Sequence, residues 1–184
     1  NSYGFVGPNG CGKSVFFKTL CGYSLLTEGQ VIYRGKIIGK EQDFIDDAGI
    51  VIEEPEFINS LSGLENLKIL AEIQKKISEP EIIEVLKQFD LYEDRNKKVG
   101  KYSVGMKQKL RLAQAVMEKP QVLILDEPMN GLDKKSVKKV EDILKAFVEN
   151  GGTLLMTSHI EQQVEACCKI VYEIDGGEIL RMTD

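Results

Sequence analysis

Short apolar runs and longer amphipathic stretches alternate along the chain. Tyr3-Gly4-Phe5-Val6 is strand-like and leads into the glycine-rich segment Gly7–Ser14; Val15-Phe16-Phe17-Lys18-Thr19-Leu20 then reads as a helix that Gly22 ends. Val31–Ile38 predicts short strands about a glycine turn, and Ala48–Ile52 predicts another strand, closed by Glu54-Pro55. From Phe57 the period changes. Ser62 with Glu65, and Ser78 with Glu81, have the spacing of capping boxes, each followed by apolar residues at helical intervals: Leu64, Leu67, Leu70 and Ile73, then Ile82, Leu86 and Phe89. Ser103 opens a third helix with Met106, Leu110, Ala113 and Met117 on one face. Beyond Pro120 strands return. Val122–Leu125 is apolar throughout, Ser136–Asn150 is amphipathic and stopped by Gly151-Gly152, Thr153–Ser158 is a strand, and Val171–Ile174 runs into the turn Asp175-Gly176-Gly177. Strands alternating with helices predict an α/β fold with a largely parallel sheet. Residues 1–57 and 119–184 would form its core and 58–118 an inserted α-helical subdomain, within one domain.

Gly7-Pro8-Asn9-Gly10-Cys11-Gly12-Lys13-Ser14 fits the phosphate-loop pattern G-x4-G-K-[ST]. Glycines let backbone N–H groups turn inward on phosphate oxygens, and the helix beginning near Lys13 adds its positive end. Lys13 has the reach for β- and γ-phosphates, and the Ser14 hydroxyl is a Mg²⁺ ligand by type. A strand preceding the loop and a helix following it are the context the motif requires. Val122–Leu125 ends in Asp126-Glu127, an apolar strand delivering two carboxylates. Beside a phosphate loop, Asp126 is placed to hold Mg²⁺ and Glu127 to polarise the attacking water as general base.

Gly7–Ser14, Ser103-Val104-Gly105-Met106-Lys107-Gln108, Asp126-Glu127, Asn130-Gly131-Leu132-Asp133 and His159, in that order, resemble an ATP-binding-cassette (ABC) ATPase over essentially the whole chain. The resemblance implies a P-loop NTPase (RecA-like) core, ATP and Mg²⁺ as ligands, and hydrolysis coupled to transport. It implies that Ser103 and Gly105 lie in the signature motif, which faces a second subunit's phosphate loop. His159 takes the switch-histidine position at the γ-phosphate, and Asp133 the position that couples the two sites. The partners implied are a second cassette, most simply a homodimer, and a separate transmembrane permease that holds the chain, otherwise cytoplasmic, at the inner membrane face. Glu53 falls where the family commonly has the Gln of its Q-loop; as a carboxylate it still suits Mg²⁺ ligation or orienting water. That Glu, with the wording of Tyr102–Gln108, resembles the bacitracin and lantibiotic immunity branch of bacterial exporters. The alternative, a soluble ABC-type ATPase acting on nucleic acid or the ribosome, usually brings coiled-coil insertions or two cassettes in one chain, and neither is visible here.

Composition narrows the picture further. With 24 Lys plus Arg against 29 Asp plus Glu the net charge is −5, which gives no footprint for nonspecific nucleic-acid binding. The lysines Lys134, Lys135, Lys138 and Lys139 read as a solvated helix face balanced by Glu141 and Asp142. No apolar run approaches the ~18–20 residues of a membrane-spanning helix. Cys11, Cys21, Cys167 and Cys168 form no CxxC pair, and one histidine completes no zinc site, so reduced thiols are expected. Phe57, Ile58 and Leu61 read equally as subdomain packing and as a surface for a membrane subunit. The start at Asn1 inside an apolar run suggests an excised piece of a longer protein. On the family's pattern the adenine-stacking aromatic residue would precede it.

Overall fold

The computed structural model describes residues 1–53 and 57–182. Strand β1 (Ser2–Val6) enters the phosphate loop, α1 (Lys13–Cys21) leaves it, and a hairpin of β2 (Ile32–Tyr33) and β3 (Lys36–Ile37) precedes β4 (Ala48–Val51). Three helices follow in succession: α2 (Gly63–Gln74), α3 (Glu79–Gln88) and α4 (Val104–Met117). Then come β5 (Val122–Leu125), α5 (Lys134–Glu149), β6 (Thr153–Ser158), α6 (Glu161–Cys167), β7 (Ile170–Asp175) and β8 (Glu178–Arg181).

The main sheet has the order β4-β5-β6-β1-β7-β8, parallel except for β8, which pairs antiparallel with β7. The sheet is therefore largely parallel, as the alternation of the sequence predicts. Its central strands are apolar on both faces because both are covered. Leu123, Leu125, Leu154 and Met156 face the core shared with α2–α6, whereas Ile124 and Leu155 pack with Phe5, Phe17 and Cys21 under α1. The ring of Phe5 stands edge-on to Phe17 and stacks on Tyr172, fixing α1 against the loop strand. Gly49 is where α4 touches the sheet: a Cβ there would lie 1.9 Å from the Ala115 carbonyl oxygen, so only glycine allows this approach.

The helix starts are written locally. Ser62 accepts from the Glu65 N–H while the Glu65 carboxylate accepts from the Ser62 N–H, and Ser78 with Glu81 repeats the box. The Lys119 ammonium and the bond from the Ser78 N–H hold the Glu81 carboxyl down at about 2. Helix α5 starts at Lys134, two residues before the expected Ser136, because Asp133 is its N-cap. Two elements escape the sequence pattern, α6 and β8. Glu54-Pro55, expected to close β4, lies outside the described residues. All four cysteines are free thiols. Burial pushes Cys21 and Cys167 up to about 12 and Cys168 upward too, so these three are neutral core groups. Among the described residues no helix is long and apolar enough to cross a membrane.

Candidate active site

Three strand ends build the site. In parallel sheets ligands bind beyond the carboxyl ends of the strands. Here β1 delivers the phosphate loop, β5 delivers Asp126 and Glu127, and β6, lying between them, delivers Thr157 and His159.

The loop wraps around its own lysine. Lys13, only 6% exposed, donates through Nζ to the Gly7 carbonyl at 2.8 Å and the Pro8 carbonyl at 3.1 Å, with Cys11 Sγ 4.0 Å away. A Cβ on Gly7 would stand 2.3 Å from the Ile174 carbonyl oxygen, so the loop lies directly on β7. Gly12 holds φ 104°, a left-handed conformation that other residues adopt only with strain, and it opens α1 without a capping side chain. The N–H groups of the first turn of α1 are thereby left for an anion. Pro8, Asn9 and Gly10 are exposed on the loop's outer face, and Cys11 packs partly against the core under α1.

Ser14 Oγ donates to Asp126 Oδ2 at 2.5 Å. A hydroxyl and a carboxylate in contact form a hard-oxygen pair of the kind Mg²⁺ takes. Among the described residues no group of three or more His, Cys, Asp or Glu side chains is arranged to hold a metal ion. Glu127 sits at φ 47°, left-handed for a non-glycine residue. Its Oε2 lies 2.9 Å from His159 Nδ1, while Oε1 is buried without a hydrogen-bond partner, 4.0 Å from Lys13 Nζ. An ionised carboxylate only accepts, so Nδ1 carries the proton in that pair. The unsatisfied oxygen, turned toward Lys13, fits a site built to take a water and a phosphate.

Other expected residues lie elsewhere. Glu53, at φ 60°, pairs with Lys18 Nζ, one helical turn past Ser14, rather than joining Ser14 and Asp126. Both partners are substantially exposed, so this pair contributes at most about 1 kcal/mol and does not lock Glu53 in place. Ser103 caps α4, accepting from the Met106 N–H at 3.2 Å, and Gly105 lies in its first turn. Neither hydrogen bonds to this chain's phosphate loop among the described residues. Instead that helix end packs on the Asn130–Asp133 segment: a Cβ on Gly105 would be 3.1 Å from the Gly131 carbonyl oxygen. Asp133 accepts from both the N–H and the hydroxyl of Ser136, and the backbone bond above all holds its carboxyl below the usual carboxylate range. Of the three apolar candidates, Phe57 packs against the core, Leu61 is half-buried and Ile58 is 50% exposed.

Two further residues take part. Gln108, read from sequence only as the tail of its motif, is buried on α4 and donates to the carbonyls of Pro128 at 2.9 Å and Glu127 at 3.4 Å, tying that helix to the acidic strand end. Thr157 bonds to both acidic residues. A hydroxyl closing the apolar run Leu154-Leu155-Met156 was its only signal.

A phosphate loop on a parallel strand, a helix amino terminus behind it and a hydroxyl–aspartate pair beside it define a P-loop NTPase. The family model for the ABC transporter matches residues 1–130. The chain is 37% identical over 177 residues to the uncharacterized ABC transporter ATP-binding protein YybJ of Bacillus subtilis, covering 96% of this chain and 81% of that protein. The lantibiotic transport ATP-binding protein SrtF of Streptococcus pyogenes is 34% identical, over 97% of this chain and 76% of its own length. The bacitracin transport ATP-binding protein BcrA of Enterococcus faecalis is 33% identical, over 97% of this chain but only 58% of its own length. In fold, the ATP-binding cassette MJ0796, solved as a dimer in a post-hydrolysis state with ADP and Pi, superposes with a TM-score of 0.85 over 99% of this chain and 85% of its own, at 22% identity. The chain belongs to the ABC transporter family and is an ATP-binding, ATPase-type cassette of it.

Proposed function

We propose that this cassette binds and hydrolyses MgATP in a head-to-tail dimer and so powers a separate membrane permease. The observation that carries the hydrolytic part is Glu127: one carboxylate oxygen is held by His159 and the other is buried and unsatisfied beside Lys13.

The first-turn amides of α1 and the loop amides take the β- and γ-phosphates, and Lys13 exchanges the Gly7 and Pro8 carbonyls for phosphate oxygens. Ser14 and Asp126 are the residues that would hold Mg²⁺. Bound Mg²⁺ supplies neutralisation of charge that develops on the β- and γ-phosphate oxygens. Glu127 orients the attacking water and accepts its proton. His159 keeps that carboxylate in one rotamer and faces the γ-phosphate; Glu53, once released from its exposed pair with Lys18, would orient water. The site in one chain would be incomplete, because Ser103 and the amide of Gly105 sit on a helix amino terminus that packs against the Asn130–Asp133 segment rather than on the loop. An open helix start suits a γ-phosphate of a second copy, and a C2 arrangement satisfies both sites at once. Asp133, at the same surface, links the two. The names of SrtF and BcrA, a lantibiotic and a bacitracin transport ATP-binding protein, support a role in transport; the permease would hold the chain at the inner membrane face.

The test is phosphate release by the full chain. Steady turnover of ATP is expected with Mg²⁺, and its loss on adding a chelator of divalent ions, restored by excess Mg²⁺. Equal rates with and without the chelator would overturn the Ser14–Asp126 assignment.

A further inference from the structure

We propose that Thr157 is a positioning residue of this ATPase site, its single hydroxyl setting the orientation of Asp126 and Glu127 together. The inference rests on the hydrolytic reading above. Strand β6 lies between the loop strand β1 and the acid strand β5, with Thr157 in register with Phe5 on one side. Side-chain alternation along β6 puts Thr157 on the face of Leu155, the face that α1 covers. Its side chain is fully buried, so its hydroxyl must find a partner in the protein.

It finds two, and both belong to the site. Thr157 Oγ1 donates to Asp126 Oδ1 at 2.5 Å and accepts from the Glu127 N–H at 2.9 Å. A hydroxyl has one proton, so the bond to Asp126 fixes that proton and leaves the lone pairs for the Glu127 amide. Asp126 is then clamped on both oxygens, Oδ1 by Thr157 and Oδ2 by Ser14. Its carboxylate is held in one plane before any cation arrives. Glu127, at φ 47°, occupies a left-handed backbone conformation that a residue with a Cβ adopts only at a cost. The hydrogen bond that its N–H donates to Thr157 Oγ1 secures that turn, and the turn aims the Glu127 carboxylate at Lys13 and His159. A buried threonine serving only the fold would be satisfied by a backbone carbonyl; this one bridges the metal ligand and the base.

Thr157→Ser and Thr157→Ala both lose the γ-methyl and differ only by the hydroxyl, so their comparison separates the bridge from packing. In the full chain with ADP present, free Mn²⁺ is followed by its paramagnetic resonance signal, alongside kcat and KM for ATP and thermal melting. Thr157→Ala is expected to weaken Mn²⁺ binding and lower kcat, each by about 10- to 100-fold, the range for groups that orient a metal ligand, with KM for ATP moving less. Thr157→Ser is expected to recover most of both losses. The same losses in Ser and Ala, or wild-type values in both, would overturn the bridge while leaving the hydrolytic reading intact. Wild-type protein that neither binds Mn²⁺ with nucleotide nor releases phosphate would overturn that reading, and the bridge with it. Should the Ala variant melt too low to assay, Thr157→Val restores the buried volume without the hydroxyl and must show the same losses.

Discussion

Glu127→Gln is expected to abolish most turnover, lowering kcat by about 10²- to 10⁴-fold, the usual contribution of a positioned general base, while ATP still binds. The substitution is nearly isosteric, and the bond that fixes the residue in the chain is made by its backbone N–H to Thr157, which glutamine keeps. What changes is the group at the end. A carboxamide accepts no proton from water, and its oxygen or nitrogen still fills the space between His159 and Lys13. Removing a negative charge from beside the phosphates also lessens repulsion, so bound ATP is expected to dissociate more slowly. Phosphate release measured together with equilibrium nucleotide binding checks both parts. A variant hydrolysing within threefold of wild type would take the base role away from Glu127.

Lys13→Ala strikes the step before. In the free protein its ammonium is buried and held by two loop carbonyls, which keeps the loop curled around the place a phosphate enters. Loss of a charged hydrogen-bonding group costs about 1.5–3 kcal/mol, or roughly 10- to 150-fold in nucleotide affinity. The fold is expected to survive: Pro8 is exposed and Gly7 half-buried, so water can take over their carbonyls. A titration with ATP, paired with a melting curve, separates weaker binding from unfolding. Unchanged affinity in a folded variant would mean that the amides alone hold the phosphates.

Much of this architecture is legible in the sequence because its signals are local. Two capping boxes, a serine N-cap before α4 and an all-apolar strand before Asp126-Glu127 each declare themselves within a few residues. The missed elements lack such signals. Helix α6 has seven residues, no side-chain cap and two buried positions, too few to establish a helical period. Strand β8 is exposed at every residue, so no alternation marks it. The site divides the same way. The phosphate loop, Asp126 and Glu127 are contiguous motifs, whereas Thr157 acts only because sheet order sets β6 between β5 and β1. That order is a property of the folded sheet. Glu53 shows the opposite failure: its position in the chain is clear, but its carboxylate lies on Lys18, and the role proposed for it requires leaving that exposed partner.

Solution mass by light scattering, on the full chain carrying Glu127→Gln with and without MgATP, tests the composite site most directly. The mass of one chain without nucleotide is expected to double with MgATP, and to stay single when Ser103→Arg fills the helix start that faces the partner's phosphates. A mass that does not change while equilibrium binding shows ATP bound would contradict the head-to-tail homodimer.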